Sequence, residues 1–264
     1  MSMSTDLTPL VEVLRAVKPY LLDIVLVGGW VPIVYERCTS IYPTRTLRTA
    51  DVDFACRPRL AVREDTMDHL LKGAGFRCEL FGNTEAPLCR YINERELEIE
   101  FLTPLKGDGS AVVTKLQEGL TAEPLRYLDV LLDHVRPVKI DEDHVVWVPW
   151  ISAFLFQKGL SFPHRGSALK KDKDLYYVFK IVQAVDRESL MTELKEVFGA
   201  HPKKWRRTFI QNLQKAFRDE HSEGVGSVVG QLMQIPGEQD NRDILIMKVF
   251  TTMDDFIQEL PPLL

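Results

Sequence analysis

Two aspartates separated by one residue are the sharpest chemical feature of the sequence. Asp51 and Asp53 lie in ADVDFA, residues 50–55, whose polar–apolar alternation predicts a half-buried strand. Because side chains on a strand alternate between its faces, both carboxylates project from one face, and Val52 and Phe54 project from the other. Neighbouring carboxylates repel each other unless a cation lies between them, and Mg²⁺ typically binds one or two carboxylates plus substrate phosphates. The pair predicts either a magnesium site or a solvated strand face.

A pair of glycines precedes these acids by one predicted helix and one loop. The apolar run IVLV, residues 24–27, predicts a buried strand that ends at Gly28 and Gly29, and WVPIVYERC predicts a short helix. Pro32 fits the first turn of that helix. Backbone N–H groups at a helix N-terminus can bind phosphate oxygens, although a tight turn also favours glycine for conformational reasons alone. We expect the glycine turn and the acids to be neighbours in space.

A third acid is expected on a later strand. The segment ELEIEFL contains Glu98 and Glu100, which are two residues apart and share a face, whereas Ile99 and Phe101 face the core. Periodicity alone does not choose between the two glutamates.

The segments LVGGW, RTADVDF and LEIEFLTP together resemble the DNA polymerase β-type nucleotidyltransferase superfamily, over roughly residues 20–105. The resemblance implies that Gly28 and Gly29 hold a nucleoside triphosphate. It also implies that Asp51 and Asp53 bind two Mg²⁺ ions.

The same resemblance selects Glu100 as the third acid, because Glu100 directly precedes the exit Phe-Leu-Thr-Pro. It implies that Glu100 ligates the metal and helps to activate the attacking hydroxyl. The sequence departs from the superfamily in three ways. The turn is Gly-Gly where many members have Gly-Ser, the segment from Gly29 to Asp51 is long, and the third acid is glutamate instead of the commoner aspartate.

A weaker resemblance lies in the second half of the chain. Lys158 followed by KKDKDLYY is similar to the K…KxRDxxD pattern of abortive-infection nucleotidyltransferase toxins. It implies that Lys158, Lys171 and Asp174 belong to the site, and that an antitoxin protein is a partner. Tyr177 stands where the pattern has its second aspartate, which departs from the family.

The residues themselves leave alternatives open for this segment. Lys158 continues an apolar stripe formed by Ile151, Phe154 and Leu155, so it either extends its amine to solvent or meets an anion such as a triphosphate. Asp174 has either a catalytic role or a place in a helix-surface ion pair with Lys171.

Two further segments carry open alternatives. Arg48 and Thr49 directly precede the acids and are either phosphate contacts or ordinary loop residues. Residues 203–218, KKWRRTFIQNLQKAFR, mix cations with aromatic side chains. Such a mixture either binds RNA or forms an amphipathic helix with its aromatic side chains on one side.

Composition excludes several classes of protein. The chain has 264 residues, a 45% hydrophobic content and a net charge of -5, which argues against a general DNA-coating role. It has no apolar run long enough for a membrane helix and no signal peptide. The four cysteines form no CxxC pair, which predicts reduced thiols and a cytoplasmic protein.

The strands and helices predicted around these residues indicate an α/β (α+β) fold. Strands and hairpins in the first half predict a mixed sheet with flanking helices, and the second half predicts helices. We therefore expect a nucleotidyltransferase-like domain at residues 1–149 and a helical, substrate-selecting domain at residues 150–264. Predicted helices cover 6–19, 60–74, 150–161, 170–186, 187–198, 202–219, 224–233 and 241–259.

These observations lead to a functional hypothesis. The chain is expected to transfer a nucleoside monophosphate from an NTP to a hydroxyl, with Mg²⁺ as cofactor. The acceptor, expected between the two halves, is RNA, especially a tRNA end, or a small molecule of the aminoglycoside type. The alternative is a non-catalytic module with a nucleotidyltransferase-like fold, for example in a toxin–antitoxin pair.

Overall fold

A computed structural model describes residues 6–41, 49, 51–82, 87–106, 112–235, 237 and 240–260. The strands are β1 (Val25–Val27), β2 (Asp51–Ala55), β3 (Arg77–Phe81), β4 (Leu88–Ile92), β5 (Glu98–Pro104), β6 (Thr114–Gln117), β7 (Leu120–Leu125), β8 (Val135–Lys139) and β9 (Val145–Pro149). The helices are α1 (Thr8–Ala16), α2 (Trp30–Cys38), α3 (Met67–Gly73), α4 (Asp129–Asp133), α5 (Ile151–Ser161), α6 (Ala168–Ala184), α7 (Arg187–Ala200), α8 (Lys203–Ala216), α9 (Glu223–Leu232) and α10 (Arg242–Glu259). Short 3-10 turns cover Lys18–Tyr20 and Phe162–His164.

The chain divides into two compact units. The first ends at Trp150 and contains every strand of the described ranges. The second begins at Ile151 and contains α5 to α10, and Ile41 groups with it.

The first unit is built on a mixed sheet. In the described residues its strand order is β3-β4-β5-β2-β1-β9-β8, with β7 paired to β5 and β6 paired to β7. Strand β2 is parallel to β5, and β1 is parallel to β9. The hairpins β3–β4 and β8–β9 are antiparallel, as are the pairs β1–β2 and β4–β5. The predicted mixed sheet with antiparallel hairpins is therefore confirmed.

One face of this sheet is apolar and fixes the register of the strands. Val52 and Ile99 are fully buried neighbours on β2 and β5. Phe101 packs its ring 6.0 Å from that of Phe54 and 6.3 Å from that of Tyr91. Burying an aromatic side chain contributes about 1.5–3 kcal/mol. Since a slip of one residue would exchange the two faces, this packing also determines which side chains occupy the opposite face.

Helix α3 is shorter than the helix predicted for residues 60–74. Thr66 has an extended backbone, and its side-chain oxygen accepts a hydrogen bond from the backbone N–H of His69 at 3.2 Å. A threonine in this position satisfies a free N–H group of the first turn, so the helix begins at Met67.

Strands β6 and β7 and helix α4 were not predicted. Gly119, with φ of 75°, connects the two strands in a tight turn. Strand β7 alternates in burial as a half-buried strand does, but Pro124 and Glu123 interrupt the apolar pattern of its sequence. Helix α4 has five residues, which is too short for helical periodicity to show.

The second unit is helical, as predicted for the C-terminal half. Residues 151–160 of α5 are all buried, so α5 is the central helix of this unit. The Phe156 ring lies 5.1 Å from that of Phe198 and 5.3 Å from that of Phe209, both close to edge-on. Gly159 permits this packing, because a Cβ there would lie 2.4 Å from the Phe209 ring.

Of the helices in the described ranges, none has both the length and the apolar content needed to cross a membrane.

Candidate active site

Four acids occupy one face of two adjacent strands. Asp51 and Asp53 lie on β2, and parallel pairing sets Asp51 beside Glu98 and Asp53 beside Glu100. Residues paired in this way belong to neighbouring strands about 4.8 Å apart. Because the other face holds the apolar core, the four carboxylates are brought together on the polar face.

The backbone of the glycine turn lies directly against the side chain of Asp53. Gly28 has φ of 67°, and a Cβ at this position would lie only 1.8 Å from Asp53 Oδ2. A Cβ at Gly29 would lie 2.7 Å from the side chain of Thr49. Thr49 in turn donates a hydrogen bond to Asp51 through its hydroxyl. The close approach, and not only the turn geometry, explains why both positions are glycine.

The turn also precedes a helix. Gly29 is the N-cap of α2, and no side chain caps this end. The first N–H groups of a helix lack intrahelical partners and favour anions. The structure therefore brings together Gly28, Gly29, Thr49 and the acids, as predicted. Arg48 lies outside the described residues.

The surroundings of Glu100 strongly perturb the acidity of its carboxyl group. Burial raises its pKa to about 7, and the negative charge of Asp53 adds to the increase, while Arg90 opposes it. The side chain of Glu100 is 16% exposed, compared with 27% for Glu98. A carboxyl group with a pKa near 7 is suited to proton transfer at neutral pH.

Arg90 on β4 is a functional candidate that was not identified in the sequence. Its Nη1 lies 2.9 Å from Glu98 Oε1, and its Nε lies 2.6 Å from Glu100 Oε1. Its guanidinium lies 4.6 Å from the centre of the Phe81 ring. The sequence signal was alternation in LCRYI, which puts Arg90 on the face opposite Cys89 and Tyr91, and the pairing of β4 with β5 sets that face beside Glu100.

Whether the acids suit a divalent ion is a question of donor chemistry. Carboxylate oxygens are hard ligands of the kind that Mg²⁺ prefers, and Asp53 is close enough to Glu100 for its charge to raise the pKa of Glu100. In the part of the chain that the structure describes, no three histidine, cysteine or acidic side chains already form a group that could hold a metal. Glu100 is instead paired with Arg90. The residue types fit the ion, and Asp51, Asp53 and Glu100 are the residues that would hold it.

The second unit contains a separate, buried ion cluster. Asp174 lies 2.8 Å from Lys158 Nζ and 2.6 Å from Arg165 Nε. Burial opposes ionisation of Asp174, but Lys158 and Arg165 outweigh it and hold the pKa of Asp174 below its usual value. The predicted position of Lys158 on an inward-facing stripe is correct, since only 7% of the residue is exposed. The anion that Lys158 meets in the structure is Asp174.

The proposed surface pair between Lys171 and Asp174 is wrong. Lys171 pairs with Glu223 on α9 at 2.5 Å, because Asp174 faces inward. A role for Lys158, Lys171 and Asp174 in nucleotide binding stays a prediction.

Helix α8 is amphipathic, which is one of the two alternatives given for residues 203–218, and RNA binding by this segment stays a prediction. Phe209, Leu213 and Phe217 are buried, as expected for the inner side of an amphipathic helix. Trp205 is only partly exposed and stacks on His201, with ring centres 5.5 Å apart. The exposed cations of α8 are Lys203, Lys204, Arg207 and Lys215.

Comparison with known proteins adds a family match. A family model described as Nucleotidyltransferase matches residues 6–200. Among solved structures, the chain is similar to an antigenic nucleotidyltransferase-like protein from Paracoccidioides brasiliensis, with 17% sequence identity and a TM-score of 0.35. That alignment covers 78% of this chain and 93% of the other. No curated protein matches the chain.

Proposed function

The chain belongs to the nucleotidyltransferase family, and from this premise we propose that it transfers a nucleoside monophosphate from an NTP to an acceptor hydroxyl, with Mg²⁺ as cofactor. One observation carries the proposal. The glycine turn lies against Asp53, and Asp53 lies beside Glu100, so a phosphate-binding turn and the acids meet on one face of the sheet.

In this mechanism Gly28 and Gly29 bind triphosphate oxygens through backbone N–H groups at the start of α2. Asp51, Asp53 and Glu100 would hold the divalent ions. Bound Mg²⁺ would supply positive charge that stabilises the attacking and leaving oxygens. The residues of the chain contribute mainly positioning and electrostatic stabilisation.

Glu100 is the proposed general base. It accepts the proton of the acceptor hydroxyl as the new oxygen–phosphorus bond forms at the α-phosphate. The bond between the α-phosphorus and the bridging oxygen breaks, and pyrophosphate leaves with its electron pair. The elevated pKa of Glu100 supports this role, since the group is partly deprotonated and still basic at neutral pH.

We further propose that the acceptor is RNA. Exposed Lys203, Lys204 and Arg207 at the start of α8 support this choice, because RNA backbone is bound by clustered cations. A cationic small molecule of the aminoglycoside type is the second candidate, favoured by the net charge of -5.

The test of transfer uses α-³²P-labelled ATP, GTP, CTP and UTP with Mg²⁺, followed by separation of RNA and small-molecule pools. We expect the double variant Asp51→Asn with Asp53→Asn to lose at least about a thousandfold in label incorporation, because metal binding and charge stabilisation are removed together. The matched control is Asp129→Asn with Asp133→Asn, two aspartates of the same unit that form surface ion pairs.

The control should retain full incorporation, and EDTA should abolish incorporation by the wild type. Wild-type protein that labels neither pool, with Mg²⁺ present, would favour a non-catalytic binding module instead.

A further inference from the structure

The positively charged side chain of Arg90 lies against the carboxylates of Glu98 and Glu100. Arg90 is paired in register with Glu100 across β4 and β5, and its two nitrogens contact Glu100 at 2.6 Å and Glu98 at 2.9 Å. The Phe81 ring, 4.6 Å below the guanidinium, fixes this geometry from the neighbouring strand β3. The guanidinium is therefore held between two carboxylates and an aromatic ring.

A guanidinium differs from other cations in a way that matters here. It stays protonated at every pH at which proteins fold, so a change in pH cannot remove its charge. Its contacts with the two glutamates are ion pairs by distance, and Arg90 Nε and Glu98 Oε1 make no aligned hydrogen bond. When Glu100 is ionised, it can leave Arg90 readily only if another cation replaces the guanidinium.

We propose that Arg90 is a positioning residue that holds Glu98 and Glu100 in the metal-free state and competes with the divalent ion for Glu100. The inference rests on the proposed function, because it concerns the same carboxylates. It has a consequence for substrate binding. Since Arg90 weakens binding of the ion alone, the site is filled most readily by an ion that arrives on a triphosphate, whose oxygens complete the coordination.

The experiment measures Mn²⁺ binding to the full chain by calorimetry, without nucleotide. In Arg90→Met the competing charge is gone, and we expect Mn²⁺ to bind on the order of tenfold more tightly than to wild type. Arg90→Lys keeps the charge but loses the two-pronged contact, so we expect an intermediate affinity. The matched control is Arg77→Met, which removes an exposed arginine paired with Glu79 at 2.9 Å on β3 and should leave Mn²⁺ affinity unchanged.

A second readout is thermal stability in EDTA. Arg90→Met leaves the acids without their counter-ion, so its Tm should fall below that of wild type and recover when Mn²⁺ is added. If Arg90→Met does not fold, Phe81→Leu replaces it. Removing the ring under the guanidinium should tighten Mn²⁺ binding about two- to threefold.

The outcomes separate the two proposals. Wild type that binds Mn²⁺ while Arg90→Met binds it equally or more weakly overturns the role of Arg90 and leaves the proposed function standing. Mn²⁺ binding in neither protein overturns both. Binding in Arg90→Met that exceeds binding in wild type, with Arg77→Met unchanged, establishes the competition.

Discussion

At the scale of single residues, the two glutamates of β5 differ in ways that the sequence does not reveal. Both share one face and both contact Arg90. Glu100 lies beside Asp53, and burial and that neighbouring charge raise its pKa to about 7. These surroundings favour Glu100 over Glu98 as the residue that accepts a proton.

The corresponding prediction compares Glu100→Gln with Glu98→Gln. We expect Glu100→Gln to lower turnover by about a hundredfold to ten-thousandfold, as for loss of a general base, and Glu98→Gln to have a much smaller effect. Wild-type kcat/KM should rise with pH through about 7, because this ratio reports the ionisation of the free enzyme, in which no bound ion lowers the pKa of Glu100. Initial rates measured from pH 5 to 9 provide the test, and a larger loss in Glu98→Gln would reassign the third acid.

Glu100→Gln should also raise the free energy of unfolding, by an amount that depends on pH. A carboxyl group with a raised pKa in the folded protein opposes folding once it is ionised, so its cost accumulates from pH 4.5, its ordinary pKa, to about 7. Glu100→Gln should therefore stabilise the metal-free protein by on the order of 1 kcal/mol above pH 7, and this gain should disappear near pH 4.5. Denaturant melts at both pH values measure it.

Period-two alternation was sufficient to place Asp51, Asp53, Glu98 and Glu100 on one face. It was not sufficient to find Arg90, because the sequence does not state that β4 pairs with β5 in the register that opposes Arg90 to Glu100. Register between strands depends on packing of the opposite face, which a single sequence does not display.

At the scale of elements, the unit of β1, glycine turn and α2 was predicted nearly residue by residue. An all-apolar strand, two glycines and a short, largely apolar helix left little ambiguity. The distance of closest approach could not be predicted, since it depends on the antiparallel pairing that sets Val27 beside Asp53. Strand β7 was not predicted, because its internal proline and glutamate interrupt the apolar alternation of its sequence.

The contact between the glycine turn and Asp53 can be tested by substituting Gly28, with Gly75 as the control position. In Gly28→Ala the new methyl group would displace the Asp53 carboxylate, so we expect turnover to fall by at least about a hundredfold. Gly75 has φ of 89° and nothing within 4 Å of its Cβ position, so Gly75→Ala has the backbone strain without the collision. Both variants should lose about 1 kcal/mol of stability from that strain.

Turnover by Gly75→Ala should match wild type at a temperature where both are folded. Equal losses of activity in the two variants would mean that backbone strain, and not contact with Asp53, explains the effect of Gly28→Ala.

At the scale of the whole molecule, net charge and local charge have opposite signs. The chain carries -5 overall, whereas the start of α8 presents Lys203, Lys204 and Arg207 to solvent. Repulsion from the whole chain therefore restricts a polyanion to places where cations are concentrated.

If RNA is the acceptor, the salt dependence of binding reports how many phosphates the cations neutralise. Three phosphate contacts predict a slope of about -2 for log affinity against log salt concentration with single-stranded RNA. Changing Lys203, Lys204 and Arg207 to Glu should abolish this dependence and reduce transfer to RNA by more than about tenfold.

The charge-matched control changes the exposed Lys115, Lys139 and Lys195 to Glu, which alters net charge equally. A cationic small-molecule acceptor would leave both triple variants with wild-type transfer.

The strand that carries Asp51 and Asp53 lies inside the sheet, with β1 on one side and β5 on the other. Its backbone amides are hydrogen bonded to neighbours that are themselves buried, so their hydrogens exchange with solvent mainly when the whole unit opens. The two carboxylates therefore cannot relieve their mutual repulsion by local loosening of the strand. The rate of amide hydrogen exchange at Val52 and Phe54 therefore reports how much that repulsion destabilises the unit. Neutralising the acids, by substitution or by a bound cation, should slow exchange across the central strands and not only at the site.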